Sequence, residues 1–191
     1  MILREIERDS ARWPELVILC LTQRVLLMPK SAAKTANESR TRYWLFKSEP
    51  DTFSWEMLKA RGEQGEPWDG VRNYRARNNM RSMQVGDLGF FYHSNQGKEI
   101  VGIVEVIAPA HPDPTDTTGT WECVDVKAVA DMPRPVKLSD VKATPELSKM
   151  ALVTTARLSV QPVTDEEWEI VCRMGGLDPK KFTRKPGRKV A

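Results

Sequence analysis

Apolar and polar positions begin to alternate as in a strand at Tyr43. The segment Tyr43 to Lys47, YWLFK, is rich in aromatics and stops at Ser48-Glu49-Pro50. Proline there removes a ladder donor and biases Glu49 to an extended backbone, so a strand delivers Ser48 and Glu49 at its end. A second strand is predicted from Leu88 to His93, released by a Gly86-Asp87 turn and running out into the polar Tyr92-His93-Ser94. After a turn at Asn95-Gln96-Gly97, the β-branched run Ile100 to Ile107 reads as a strand carrying Gly102. Pro109 to Gly119 is read as a polar, exposed loop, with His111 a loop residue. Trp121 to Ala130 is the next strand, with Val124, Val126 and Ala128 on one face and Pro133 and Pro135 ending it. Val136 to Val141 and Glu146 to Met150 are short connecting pieces, and Arg157 to Val160 is the final strand.

Helical periods are short. Ser54 caps a helix through Trp55 to Ala60. Ala76, Met80 and Met83 recur at helical spacing and face the core, leaving Arg72, Arg75 and Asn79 on or near the other side. Thr164 and Glu167 have capping-box spacing, and Gly175-Gly176 closes that helix. Strands and helices do not alternate regularly as in a parallel α/β sheet. The predicted class is α+β: a small, partly closed mixed β-barrel of about five to six strands with peripheral short helices, since closure removes exposed edges.

Three regions follow: an N-terminal extension (1–42), a globular domain (43–176) and a basic tail (177–191). Within the extension, Leu16 to Met28 is apolar but interrupted by Thr22, Gln23 and Arg24, and is shorter than the roughly 20 apolar residues of a membrane span. Glu5, Glu7 and Asp9 do not suit a signal peptide. Translation from Met28 is the alternative, which makes residues 28–42 a polar leader.

Charged residues at 29% and hydrophobic ones at 40% are those of a folded chain, not a disordered one. The net charge of +3 is unevenly placed: from Asp178 onward six Lys/Arg stand against one acid, a local +5, so the remainder is slightly acidic. The three cysteines, Cys20, Cys123 and Cys172, are odd in number and far apart, which points to buried thiols in a reducing compartment. With two histidines and no clustered carboxylates, neither a metal nor a cofactor is expected.

The candidate chemistry lies in Trp68 to Asn79, WDGVRNYRARNN, and at the ends of the first two strands. An aromatic face to hold a flat ligand, polar groups to read its edge and arginines for an anion together describe a pocket for a modified base. Trp68 is the stacking wall, with burial in the core its competing role. The helix start near Trp68 offers N–H groups to a phosphate. Asn73 either caps the helix or reads a base edge. Glu49 accepts from an exocyclic amine or ties down Arg72 or Arg77. His93 is a hydrogen-bonding pocket residue. A Ser94–His93 nucleophile pair is disfavoured, because adjacent strand residues point to opposite faces. Arg157 points to the pocket or pairs with an acid.

The motifs Tyr43–Pro50 (YWLFKSEP), Trp68–Asn78 (WDGVRNYRARN), Phe91–Ser94 (FYHS) and Arg157–Pro162 (RLSVQP) together resemble the EVE domain family, from about Tyr43 to about Gly176. The resemblance implies a PUA-like barrel with flanking helices, related to YTH readers of N6-methyladenine. It also implies a non-catalytic reader of a modified base such as methylated or oxidised-methyl cytosine, in DNA or RNA. Ser48 and Glu49 fall where the related readers meet the base and Trp68 where they place a cage aromatic; Trp121 or Tyr92 supplies a second. The expected ligand set is Ser48, Glu49, Trp68, Asn73, Tyr74, Tyr92, His93, Ser94 and Trp121, with Arg72, Arg77, Arg157, Lys180 and Lys181 on the nucleic-acid backbone. The expected partner is nucleic acid, not a membrane, and the expected state a monomer in the cytoplasm, at the nucleoid of a bacterium or in a eukaryotic nucleus. A small-molecule hydrolase or a free nucleoside or metabolite sensor using the same pocket is the alternative.

Overall fold

The computed structural model describes residues 43–183. The extension with its Leu16–Met28 stretch and Cys20, and the tail beyond Thr183, lie outside the described residues. Among the described residues six strands form one sheet: β1 (Tyr43–Ser48), β2 (Glu66–Pro67), β3 (Leu88–His93), β4 (Glu99–Pro112), β5 (Glu122–Lys137) and β6 (Val160–Val163), in the order β2-β5-β4-β3-β1-β6. β1 is parallel to β3 and every other pairing is antiparallel, so the sheet is mixed as expected.

The two-residue period of a strand divides the core between the two faces. Tyr43 and Leu45 of β1 join Phe90 and Tyr92 of β3 on one face, under α3 (Leu138–Ala143), α4 (Ala151–Thr154) and α5 (Asp165–Met174). There Trp168 of α5 is stacked between Tyr43 and Phe90, both at 4.2 Å between ring centroids. Trp44 and Phe46 join Phe91, Val104 and Trp68 on the other face, under α1 (Trp55–Ala60) and α2 (Tyr74–Arg81). The helix faces are the predicted ones: Ala76, Met80 and Met83 are buried. Ser54 accepts from the Met57 amide at the start of α1, and Thr164 forms the full capping box with Glu167 at the start of α5.

Among the described residues β2 and β6 are open edges, and α2 covers the space between β5 and β6. Its Asn79 Nδ2 donates to the Val160 carbonyl at 2.8 Å, and Arg81 grips Glu122 at the start of β5 with two donors, the longer at 3.0 Å. Arg81, though exposed, is therefore a brace between elements.

Several boundaries differ from expectation. β4 runs on through Pro109 to Pro112, so His111 is a strand residue, its Nε2 2.8 Å from Asp125 Oδ1. β5 passes through Pro133 and Pro135, because the register steps from Gly102↔Asp131 to Ile100↔Val136. The extra residues on β5 bulge out of the ladder, and a proline that lacks a donor loses nothing there. β6 begins at Val160 and not Arg157, since Arg157 sits in a turn closed by Leu158 N to Thr155 O at 3.3 Å. The segment after β5 is helical, as α3, and Pro145–Leu147 is a 3-10 turn.

Candidate functional site

β1 and the segment after β2 converge on one cavity. At the end of β1, Ser48 Oγ donates to the Phe53 carbonyl at 2.7 Å, while Ser94 N and Oγ donate to the Ser48 carbonyl at 2.8 and 3.1 Å. These bonds fold residues 49–53 back over the strand end. From the other side, Trp68 N donates to the Val124 carbonyl at 2.8 Å. The indole of Trp68, 7% exposed, meets Phe46, Phe91 and Phe53 edge-on at 5.2, 5.5 and 6.3 Å. Trp68 is thus a core residue and a cavity wall at once. The cavity has a volume of about 270 Å³, and Ser48, Phe53, Trp68, Asp69, Arg72 and Ser159 are among its lining. That is just under the roughly 300 Å³ at which pockets for drug-sized ligands begin, a scale suited to a single ring system.

Its polar rim is held from behind by Asp113. Asp113 Oδ2 accepts from Gly70 N at 2.9 Å and from Arg72 Nη1 at 2.7 Å; Oδ1 accepts from Thr115 N and Oγ1 at 2.7 and 2.6 Å. Burial pushes the Asp113 carboxyl up, but the bonds from Thr115, Arg72 and Gly70 outweigh it and hold the group below the usual carboxylate range. Arg72 is therefore tied to Asp113 and not to Glu49. Asp69 shifts the opposite way: burial, then the negative charges of Asp113 and Glu66, raise its pKa against the pull of Arg72.

Residues 42–174 match the EVE domain family model. The chain belongs to the EVE domain family. Human thymocyte nuclear protein 1 is 35% identical over 181 residues, which span 78% of this chain and 80% of that protein. A crystallised Agrobacterium tumefaciens protein is 65% identical, with a TM-score of 0.69 over 71% of this chain and 94% of its own. The human THYN1 protein, crystallised in complex with DNA containing 5-methylcytosine, is 36% identical, with a TM-score of 0.66 over 72% of this chain and 99% of its own. The PUA-like α+β fold follows from this membership.

In this EVE domain Ser48, Trp68 and Arg72 meet at the cavity, and the other residues singled out in the sequence stand elsewhere. Glu49 is exposed just beyond the lining, its carbonyl accepting from Thr52 and Phe53 amides at 2.9 Å. Asn73 is the cap of α2, accepting from Arg75 N and Ala76 N at 2.9 and 3.1 Å, so those amides are already taken where a phosphate was expected. Tyr92 faces the opposite core layer from Trp68, because Phe91 occupies the cavity-side position of β3. His93 Nε2 accepts from Trp55 N at 3.2 Å, and burial lowers its pKa, the direction that favours an acceptor nitrogen. Neither Tyr92 nor His93 lines the cavity, nor does Ser94.

Trp121 pairs with Tyr74 instead, centroids 4.9 Å apart. The Arg77 guanidinium lies 5.0 Å from the Tyr74 ring and 5.8 Å from Trp121, and Arg72 is also 5.8 Å from Trp121. Tyr74 is 61% exposed, so this aromatic–arginine patch opens to solvent and adjoins the cavity through Arg72. Arg157 is exposed ahead of β6. Lys180 and Lys181 lie in the 3-10 turn Pro179–Lys181; Lys180 lines a separate cavity with Tyr43 and Trp168, on the other face and at the other end of β1.

Phe53, Asp69 and Ser159 also line the cavity, and of these only Asp69 carries a signal in the sequence, its place directly after Trp68. The buried Cys123 and Cys172 thiols are pushed up to about 12 by burial, which makes them poor nucleophiles. Among the described residues no group of three or more His, Cys, Asp or Glu is placed to hold a metal ion, and no helix is long and apolar enough to cross a membrane.

Proposed function

We propose that this EVE domain is a non-catalytic reader of a modified base of the 5-methylcytosine class in nucleic acid, taking the base out of its stack and holding it against Trp68. The observation that carries the reading is the ring-sized cavity at the end of β1, with Trp68 as wall and Arg72 beside it. The complex of the human THYN1 relative with 5-methylcytosine-containing DNA supports the same ligand class. The adjoining Tyr74, Trp121 and Arg77 suit a flanking nucleotide, stacking a base and meeting its phosphate. On this reading the domain acts as a monomer, wherever the cell keeps the polymer it reads. A hydrolytic role has little support: His93 Nε2 is committed to Trp55 N and Ser94 Oγ to the Ser48 carbonyl, so neither is poised for the other.

Anisotropy of labelled oligonucleotides, identical except for one cytosine or 5-methylcytosine, tests the reading. The methylated strand is expected to bind more tightly, with affinity falling as salt rises. Equal and weak binding to both, unchanged by Trp68→Ala, would defeat it.

A further inference from the structure

Asp69, an exposed residue, stands beside the Trp68 wall among the residues lining the cavity. Its backbone is pinned on both sides, by Trp68 N on the Val124 carbonyl at 2.8 Å and by Gly70 N on Asp113 at 2.9 Å. Asp69 therefore presents its side chain from a fixed point. Among the described residues no other residue donates a hydrogen bond to that carboxylate; its one internal donor is its own amide. The neighbouring cation is already engaged, since Arg72 gives Nη1 to Asp113 and Nη2 to Thr115 Oγ1 at 2.7 and 2.9 Å. Glu66 is paired with Arg61 at 2.7 Å. What remains at the cavity is an acceptor-only group on a pinned backbone, with no donor from another described residue.

We infer that Asp69 selects the base: its carboxylate accepts from the exocyclic amine of cytosine while Trp68 holds the ring, and thymine, with a carbonyl at that position, is rejected. This rests on the modified-base reading above and adds a discrimination that methyl recognition cannot supply, because thymine and 5-methylcytosine carry the same methyl group. A carbonyl facing a carboxylate leaves two acceptors opposed in a partly desolvated site, the arrangement that makes a polar pocket reject an analogue lacking the donor. The raised pKa of Asp69 agrees with a group that gains when a donor arrives.

The test measures affinity for single-stranded oligonucleotides identical except for one 5-methylcytosine or one thymine, with the wild-type chain and with Asp69→Asn. The wild type is expected to prefer 5-methylcytosine by about tenfold or more. In Asp69→Asn the amide can donate to the thymine carbonyl, so the ratio is expected to fall toward one, mainly by a gain in thymine affinity that a misfolded variant cannot give. A wild-type ratio near one overturns the inference without reference to any variant. So does a wild-type preference that Asp69→Asn, shown folded by its melting curve, leaves intact. If the wild type binds 5-methylcytosine no better than cytosine or thymine, the modified-base reading fails first and this inference with it. Binding that discriminates methylated from unmethylated cytosine but not 5-methylcytosine from thymine removes the inference alone.

Discussion

Arg72 Nη1 donates to Asp113 Oδ2 at 2.7 Å, and the Asp113 side chain is wholly shielded from solvent while that of Arg72 is 40% exposed. The pair joins the cavity rim to the loop after β4, and the same carboxylate holds Gly70 N. Asp113→Ala leaves that amide and the inner face of the guanidinium without an acceptor. A loss of about 1–3 kcal/mol in stability is expected, together with weaker oligonucleotide binding. Urea denaturation and anisotropy on the same variant check both.

Trp68 packs in the core and is proposed to hold the ligand, so its variants separate the two. Trp68→Ala is expected to lose about 3–5 kcal/mol of stability through the void left against Phe46 and Phe91. Trp68→Phe keeps an aromatic face, and its binding loss is expected at the low end of the about 1–3 kcal/mol assigned to base stacking. Binding that stays at the wild-type level in a folded Trp68→Ala would remove the stacking role.

Gly102 lies under Trp55, and a Cβ there would collide with the six-membered ring of the indole. The indole cannot retreat freely, because its Nε1 donates to Asp131 at 2.6 Å. Gly102→Ala is expected to destabilise by about 1–3 kcal/mol. In a Trp55→Leu background the same change should cost less, a coupling that a double-mutant cycle reads directly.

The pKa values of the two histidines are shifted in opposite directions. For His93, burial lowers the pKa from its ordinary 6.5. For His111, burial also pulls downward, but the hydrogen bond to Asp125 and the Pro112 carbonyl outweigh it and raise the value. The stability that His93 contributes is present above about pH 6.5 and lost as the pH falls through its lower folded value; that of His111 is present below about 6.5 and lost as the pH rises through its higher one. Imidazole NMR titration should show one curve on each side of 6.5, with Asp125→Asn moving only the upper one down. In His93→Gln the drop in melting temperature on acidification from pH 7.5 to about 5 should shrink.

Arg77 and Lys180 are both basic but stand on different faces of the sheet. Arg77→Gln is expected to reduce the slope of log affinity against log salt by about 1, as for one lost phosphate contact. Lys180→Gln should leave that slope nearly unchanged, because Lys180 adjoins Tyr43 at the far end of β1, about 17 Å from Ser48 at roughly 3.3 Å per residue. Equal effects of the two variants would move the binding surface away from the cavity.

The sequence by itself determined what depends on neighbours a few residues apart. The caps at Ser54 and Thr164, the buried stripe Ala76–Met80–Met83, and the β1 and β3 segments were legible because capping, helical period and aromatic content are local. The same motifs identified the family, and Ser48, Trp68 and Arg72 within them line one cavity. Tertiary structure decided which side of the sheet each residue serves. Period-two alternation separates Phe91 from Tyr92 but does not say which of them faces Trp68; that choice comes from pairing β3 with β1 and β4 under two different sets of helices. It also matched Arg72 with Asp113, 41 residues away, rather than with Glu49, and it left the Asp69 carboxylate at the cavity without a donor from another described residue. A charge chooses its partner by distance in space and by which acceptor is shielded from water, and neither quantity is written in sequence spacing.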